Sequence, residues 1–256
     1  MSMALELQSL SRHYGGVRAL DGVSVGIEAE QCVALIGPNG AGKSTCFACL
    51  AGQQAPTQGR VVWQGRDVTA LDPTQRLALG MARTFQVAQT FEALSVRRNL
   101  QLVLARGRLA WWDRLDARDA HAAQAWLERV GLQAQADAVA GHLPYGARKR
   151  LELAMALAGL PAAGPHLLLL DEPAAGLTPA ERGDMMALVR QVARSGVTVL
   201  YTEHNMDAVF GVADRVLVLM QGRLVADGLP EAVAQDPLVR THYLGADFAV
   251  GGGADA

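Results

Sequence analysis

Cysteine, aromatic residues, net charge and long apolar runs are all scarce in this chain of 256 residues, and each scarcity removes a class of protein. Three cysteines, Cys32, Cys46 and Cys49, cannot staple a small secreted scaffold and suit a reducing compartment. Cys46-x-x-Cys49 has half the spacing of a zinc or redox motif, but no second Cys or His pair completes it, so core packing is the expected role. A net charge of −2 gives no basic excess with which to coat nucleic acid. The apolar stretch nearest to a membrane span, Leu151 to Leu170, is broken by Glu152, Pro161 and Pro165. The first residues, Met1-Ser2-Met3-Ala4-Leu5-Glu6, hold neither a basic segment nor an apolar stretch, so no signal peptide is expected. No internal repeat is visible. A soluble, intracellular chain is the expectation.

What is present is a phosphate-binding pattern, G-x-x-x-x-G-K-[ST], in Gly37-Pro38-Asn39-Gly40-Ala41-Gly42-Lys43-Ser44-Thr45. Cys32 to Ile36 before it reads as a buried strand, and Thr45 to Ala51 after it as a helix. Gly37, Gly40 and Gly42 can take backbone angles that turn successive N–H groups inward, making with the helix start a nest for phosphate oxygens. Lys43 is expected at the β- and γ-phosphates, and Ser44 at Mg²⁺ through its hydroxyl.

The rest of the chain reads as an α/β protein. Residues 4–10 and 23–27 read as strands, with Tyr14 in a loop between them, suited either to stacking on a base or to packing. Gly59 to Gly65 reads as a strand and turn. Asp72-Pro73 is a helix start, and Met81 to Phe85 a short strand ending on Gln86. Ser95 to Arg106 and Ala117 to Val130 read as amphipathic helices, joined by a segment whose Trp111-Trp112 pair suits either exposed contacts or, by a small margin, an anchor for the linker. A further helix follows Gly146 to about Ala158. His166 to Leu170 is an apolar run ending on Asp171 and Glu172, which places two carboxylates at the ligand-binding edge of a parallel sheet. There Asp171 suits water-mediated Mg²⁺ binding or a helix cap, and Glu172 suits orientation of an attacking water. Val197 to Thr202 delivers His204 to the same edge, and Arg215 to Ala226 reads as a hairpin. Residues 230–248 read as a partly helical tail, ending in frayed glycines.

The order and spacing of these motifs resemble the ATP-binding subunits of ABC transporters over nearly the whole chain. The resemblance implies a P-loop NTPase core with a mostly parallel sheet, an antiparallel N-terminal β part and an inserted helical lobe. Its expected limits are a single domain over 1–250, with core at about 1–90 and 160–230, lobe at about 91–159 and a tail from about 230. It implies that Tyr14 stacks on adenine and that residues 37–45 hold the phosphates. Ser44, Gln86 and Asp171 then hold Mg²⁺, Glu172 polarises water and His204 contacts the γ-phosphate. Gln86 links the metal site to the membrane subunits. A second ATPase subunit, polytopic permease subunits and, indirectly, a periplasmic solute-binding protein are the implied partners, and the cytoplasmic face of the inner membrane the implied location.

The chain departs from that family at its signature. Where the family has Leu-Ser-Gly-Gly-Gln, the matching residues are Leu143-Pro144-Tyr145-Gly146-Ala147. Gly146 can still offer an N–H to ATP held by a facing subunit, but Pro144 has neither hydroxyl nor N–H and Ala147 has no amide side chain. Unequal sites in the dimer are therefore expected. Thr178 likewise stands where the general family has Asp. An aromatic in the signature, Glu172-Pro173-Ala174-Ala175-Gly176-Leu177, Trp126 to Leu132 and Tyr243-Leu244-Gly245 are similar to the ATPases of branched-chain amino-acid importers. Lipopolysaccharide-export and urea-import ATPases are neighbouring resemblances. A P-loop kinase would give no reason for Gln86, Gly146 and His204 at these spacings. Soluble ABC ATPases usually fuse two halves or insert a coiled coil, and neither is present.

Overall fold

In a computed structural model, described over residues 3–84, 88–105 and 119–245, two sheets and a helical lobe surround the glycine-rich loop. The main sheet contains β3 (Cys32–Ile36), β6 (Met81–Arg83), β7 (His166–Asp171), β8 (Val197–Thr202), β9 (Arg215–Met220) and β10 (Arg223–Gly228), in the order β10-β9-β3-β8-β7-β6. All pairs are parallel except the β9–β10 hairpin. Its inner strands β3, β7, β8 and β9 are largely apolar and buried because both faces are covered, whereas the edge strand β10 alternates exposed and half-buried residues. Val33, Leu35, Leu167, Leu169, Leu217 and Leu219 point to one cluster, and Cys32, Ala34, Ile36, Leu168, Leu170 and Val218 to the other. That is the period-two alternation of a strand with no wet side.

The first cluster is closed by an antiparallel sheet of β1 (Met3–Tyr14), β2 (Val17–Glu28), β4 (Gln58–Trp63) and β5 (Arg66–Asp67), ordered β2-β1-β4-β5. Leu5 and Leu7 pair across to Ile27 and Val25 on one side and to Trp63 and Val61 on the other. Between the sheets lies α1 (Lys43–Leu50), whose Cys46, Phe47, Cys49 and Leu50 are buried. The second cluster is covered by α5 (Tyr145–Ala158), α6 (Pro179–Arg194) and α7 (Met206–Phe210). With α3 (Val96–Leu104) and α4 (Ala120–Arg129), α5 also encloses a separate apolar cluster built on Leu100, Leu127, Leu132 and Leu151.

Several boundaries differ from the sequence reading. Residues 11–14 are not a loop: β1 continues to Tyr14, which pairs with Val17, and shifts in register along the strand absorb its polar stretch. The third helix is described over Val96–Leu104 and the fourth over Ala120–Arg129, while the expected limits at Arg106 and Ala117 lie outside the described residues. β6 ends at Arg83, while Gln86, Trp111 and Trp112 lie outside the described residues. The Asp72 cap is present as a reciprocal capping box with Gln75 at the start of α2 (Pro73–Ala78).

Arg76 on α2 carries no sequence pattern, yet among the described residues it is the largest fully buried side chain. Its guanidinium donates to the carbonyls of Cys49 at 2.7 Å and Leu50 at 2.6 Å, the open C-terminal end of α1, and to Thr69 at 3.0 Å. A cation there also opposes the negative end of the helix dipole. Arg76→Met keeps the apolar stem but leaves these carbonyls unpaired, at about 1–3 kcal/mol each. Denaturant unfolding should show a loss of about 4 kcal/mol; a loss below about 1 kcal/mol would contradict this role.

Candidate nucleotide-binding site

The loop 37–42 leaves β3 and enters α1 at its positive end. Gly37, Gly40 and Gly42 all have positive φ, at 147°, 77° and 106°. Two of them are also excluded from bearing a side chain by contact. A Cβ on Gly37 would lie 2.0 Å from the Leu219 carbonyl oxygen, and one on Gly42 would lie 2.3 Å from that of Ala19. The β9–β10 turn props the loop from outside, with the Gly222 N–H donating to the Ala41 carbonyl at 2.9 Å.

Lys43 is buried and folded back on its own loop, donating to the carbonyls of Gly37 at 2.6 Å and Pro38 at 3.1 Å. Burial holds its pKa below the usual lysine range, and the carboxylates of Glu172 and Asp171 offset part of that effect. Ser44 is exposed on the first turn of α1 and Thr45 is half-buried beside it. Pro38 is half-buried, Asn39 is exposed and Ala41 is buried.

The acids arrive on β7 from across β8. Asp171 pairs in register with Thr202, so the ends of the two strands stand level. The Thr202 hydroxyl accepts the Glu172 N–H at 3.0 Å and donates to Asp171 Oδ1 at 2.9 Å. Glu172 sits at φ 48°, a left-handed conformation that costs a residue with a side chain on the order of 1 kcal/mol. The buried Glu203 secures the next turn, accepting from the Ala174 N–H at 2.9 Å and the His204 N–H at 3.1 Å. His204 Nε2 lies 2.7 Å from Glu172 Oε1, so the two residues form one unit.

Sequence reasoning assigned no site role to Thr202, Glu203 or Tyr243, the last being noted only in the Tyr243-Leu244-Gly245 resemblance. The first two were visible only as neighbours of His204. Tyr243 belongs to a short π-turn, Arg240–Leu244, after α8 (Pro230–Gln235) and α9 (Pro237–Val239), and it packs on the second cluster. The Gly37 backbone hydrogen-bonds to its hydroxyl, although burial, the larger effect, keeps that hydroxyl harder to ionise than usual. The tail therefore reaches the phosphate loop.

Tyr14 is 42% exposed, with its hydroxyl bonded to Gln54 and the Arg12 guanidinium 4.7 Å from its ring centre. It pairs with Val17, two residues before the Ala19 carbonyl that abuts Gly42. At about 3.3 Å per strand residue, this places the Tyr14 backbone about 7 Å along the strand from the contact with the phosphate loop. Gly146 lies in the first turn of α5, where a Cβ would come 2.8 Å from the Glu181 carboxylate. Pro144 takes the cap position of α5 and supplies no side-chain hydrogen bond, whereas Thr178 forms a capping box with Glu181 on α6. Thr178 thus caps α6, a role that the family's Asp could fill as well, and nothing in the structure explains the change.

The oxygen set near the loop, one hydroxyl on Ser44 and one carboxylate on Asp171, fits Mg²⁺ bound largely by phosphate and water. Among the described residues no cluster of three or more His, Cys, Asp or Glu could cage a metal by itself. Cys46 and Cys49 lie in the apolar interior, and burial pushes the Cys46 thiol up to about 12.

The family model described as "ABC transporter" matches residues 20–175, and that described as "Branched-chain amino acid ATP-binding cassette transporter" matches residues 223–249. The high-affinity branched-chain amino acid transport ATP-binding protein BraF of Pseudomonas aeruginosa is 36% identical, over 94% of this chain and 97% of its own. The lipopolysaccharide export system ATP-binding protein LptB of Acidithiobacillus ferridurans is 34% identical, over 98% of this chain and 100% of its own. Among solved structures, the ADP conformation of an ATP-binding cassette of an ABC transporter superimposes with a TM-score of 0.84 at 28% identity, covering 96% of this chain and 100% of that one.

Thr202→Val preserves shape but strips the hydroxyl from both the Glu172 N–H and Asp171. Two polar groups lose a partner, and unfolding should show a loss of about 2 kcal/mol together with a marked fall in ATP turnover. Wild-type stability and turnover in that variant would remove Thr202 from the site.

Proposed function

The chain belongs to the ATP-binding proteins of ABC transporters, and on that premise we propose that it powers uptake of branched-chain or other hydrophobic amino acids through partner membrane subunits. The observation that carries the reading is the level ending of β7 and β8, which brings Glu172 and His204 within 2.7 Å of each other beside the phosphate loop. The share of the chain aligned with BraF and the match over residues 223–249 support the substrate class. The likeness to LptB keeps lipopolysaccharide export as the second reading, with urea uptake behind it.

ATP binds with its phosphates on the amides of residues 37–45, and Lys43 leaves the Gly37 and Pro38 carbonyls for the β- and γ-phosphates. Tyr14 offers its ring to adenine. Glu172, oriented by His204, accepts the proton of the attacking water, and His204 then faces the γ-phosphate. Mg²⁺, where bound by Ser44, Gln86 and Asp171, neutralises charge that develops on the phosphates. A second ATPase subunit, the same chain or a homologue, supplies its signature helix in trans. Here that helix carries Tyr145, Gly146 and Ala147, whose N–H groups have no side-chain cap and no acidic residue in the first turn.

Between the lobe and the core runs an apolar groove of about 720 Å³, lined by Leu77, Met81, Phe91, Val103 and Met155 among others. It suits cytoplasmic helices of a polytopic permease, which would receive substrate from a periplasmic binding protein, at the inner face of the membrane. No helix among the described residues is long and apolar enough to cross a membrane, so attachment through such subunits fits. No nucleic-acid role is invoked.

Glu172→Gln should lower turnover by a factor on the order of 10² or more while ATP still binds. Near-normal hydrolysis by that variant would remove Glu172 as the base. At the signature, Ala147 is buried in the apolar cluster of the lobe, which makes Ala147→Gln a poor restoration, whereas Pro144 is exposed. Pro144→Ser should restore a cap worth about 1 kcal/mol and raise ATPase activity of the assembled complex. Unchanged activity would mean that the backbone donors suffice.

A further inference from the structure

Asp171 is expected at the metal, yet both of its oxygens are already engaged. Thr202 donates to Oδ1 at 2.9 Å, and Arg83 donates to Oδ2 at 2.8 Å in an ion pair whose two side chains are each 12% exposed. Arg83 is held on its other sides as well. Its guanidinium hydrogen-bonds Gln53 and lies 5.8 Å from the ring centre of Phe47, on the helix that follows the phosphate loop. The same side chain lines the groove between lobe and core, with Gln53, Leu77 and Glu152. One arginine thus has a foot in the nucleotide site and another in the groove.

A guanidinium and a divalent cation compete for the same carboxylate lone pairs, and a partly buried carboxylate is not left without a counter-charge at little cost. We propose that Arg83 is the resting counter-ion of Asp171, exchanged for Mg²⁺ when nucleotide binds, so that the departing guanidinium reports the exchange to the groove. This rests on the ATPase reading above and adds to it a positioning residue three places before Gln86. Lys43 donates to the Gly37 and Pro38 carbonyls and Arg83 to Asp171, so two cations beside the expected phosphate and metal positions are held by groups of the protein itself. In the proposed exchange, binding of Mg²⁺ with nucleotide displaces both. The coupling is reciprocal: whatever draws Arg83 into the groove makes Asp171 more available to the metal.

The test uses the full chain and a non-hydrolysable ATP analogue, with affinity measured by calorimetry in Mg²⁺ and in EDTA. The gain in affinity on adding Mg²⁺ should be larger in Arg83→Gln than in wild type by a factor on the order of ten, the scale of one charge-assisted hydrogen bond. Affinity in EDTA should stay within about twofold, since Lys43 and the loop amides are untouched. Arg83→Met should behave alike and serves if the first variant folds poorly. In the unmodified chain, labelling of Arg83 by an arginine-specific dicarbonyl, read by peptide mass spectrometry, should rise several-fold with the analogue and Mg²⁺ but not with the analogue in EDTA. An unchanged or smaller Mg²⁺ gain in the variants, or flat labelling of Arg83, overturns the exchange and leaves the pair a structural tie. Failure of the wild-type chain to bind the analogue at all would instead count against the ATPase reading.

Discussion

The Thr202 hydroxyl between Asp171 and Glu172 is the contact on which the site depends. It exists because β3, β8 and β7 are adjacent and parallel, so that three loops leave the sheet at one level. One strand delivers the glycine loop, one the two carboxylates, and the strand between them the residues that hold those carboxylates in place. Glu172 turns into a left-handed conformation there, and Thr202 and Glu203 fasten the turn that follows. Local strain is offset by fixed partners, as preorganisation for charge stabilisation requires.

Charge at the site is balanced by groups of the chain itself. Lys43 rests on loop carbonyls, Arg83 on Asp171 and His204 against Glu172. In the proposed exchange, phosphates and a divalent cation would replace those contacts, and the binding energy would pass to whatever the displaced side chains touch next. For Arg83 that is the groove beside the helical lobe.

Much of this was legible in the sequence, and for physical reasons. The apolar runs at Cys32, His166 and Val197 read as buried strands because both sheet faces are covered. The glycines at 37, 40 and 42 read as turns because only their backbone angles fit. Tyr14 was placed in a loop because Ser11, Arg12 and His13 are polar, and pattern does not reveal the register shifts by which β1 continues. Arg76, Thr202 and Glu203 carried no readable motif, and Tyr243 was readable only as part of the Tyr243-Leu244-Gly245 resemblance, with no site role assigned to it. Their roles are to satisfy backbone or carboxylate groups brought near by topology, over separations of 26 or more residues for Arg76 with the end of α1 and 31 for Thr202 with Asp171. The departures at Pro144 and Thr178 were readable as absences, but only the helices they begin show that one start is capped by a side chain and the other is not.

The account's central claim is that residues 37–45 and the acid turn after β7 form one nucleotide site. Amide hydrogen exchange on the full chain, with and without Mg²⁺ and a non-hydrolysable ATP analogue, tests it most directly. The account predicts slowed exchange in two segments together, 37–46 and 171–174. Protection confined to one of them, or appearing in neither while nucleotide binds, would contradict it.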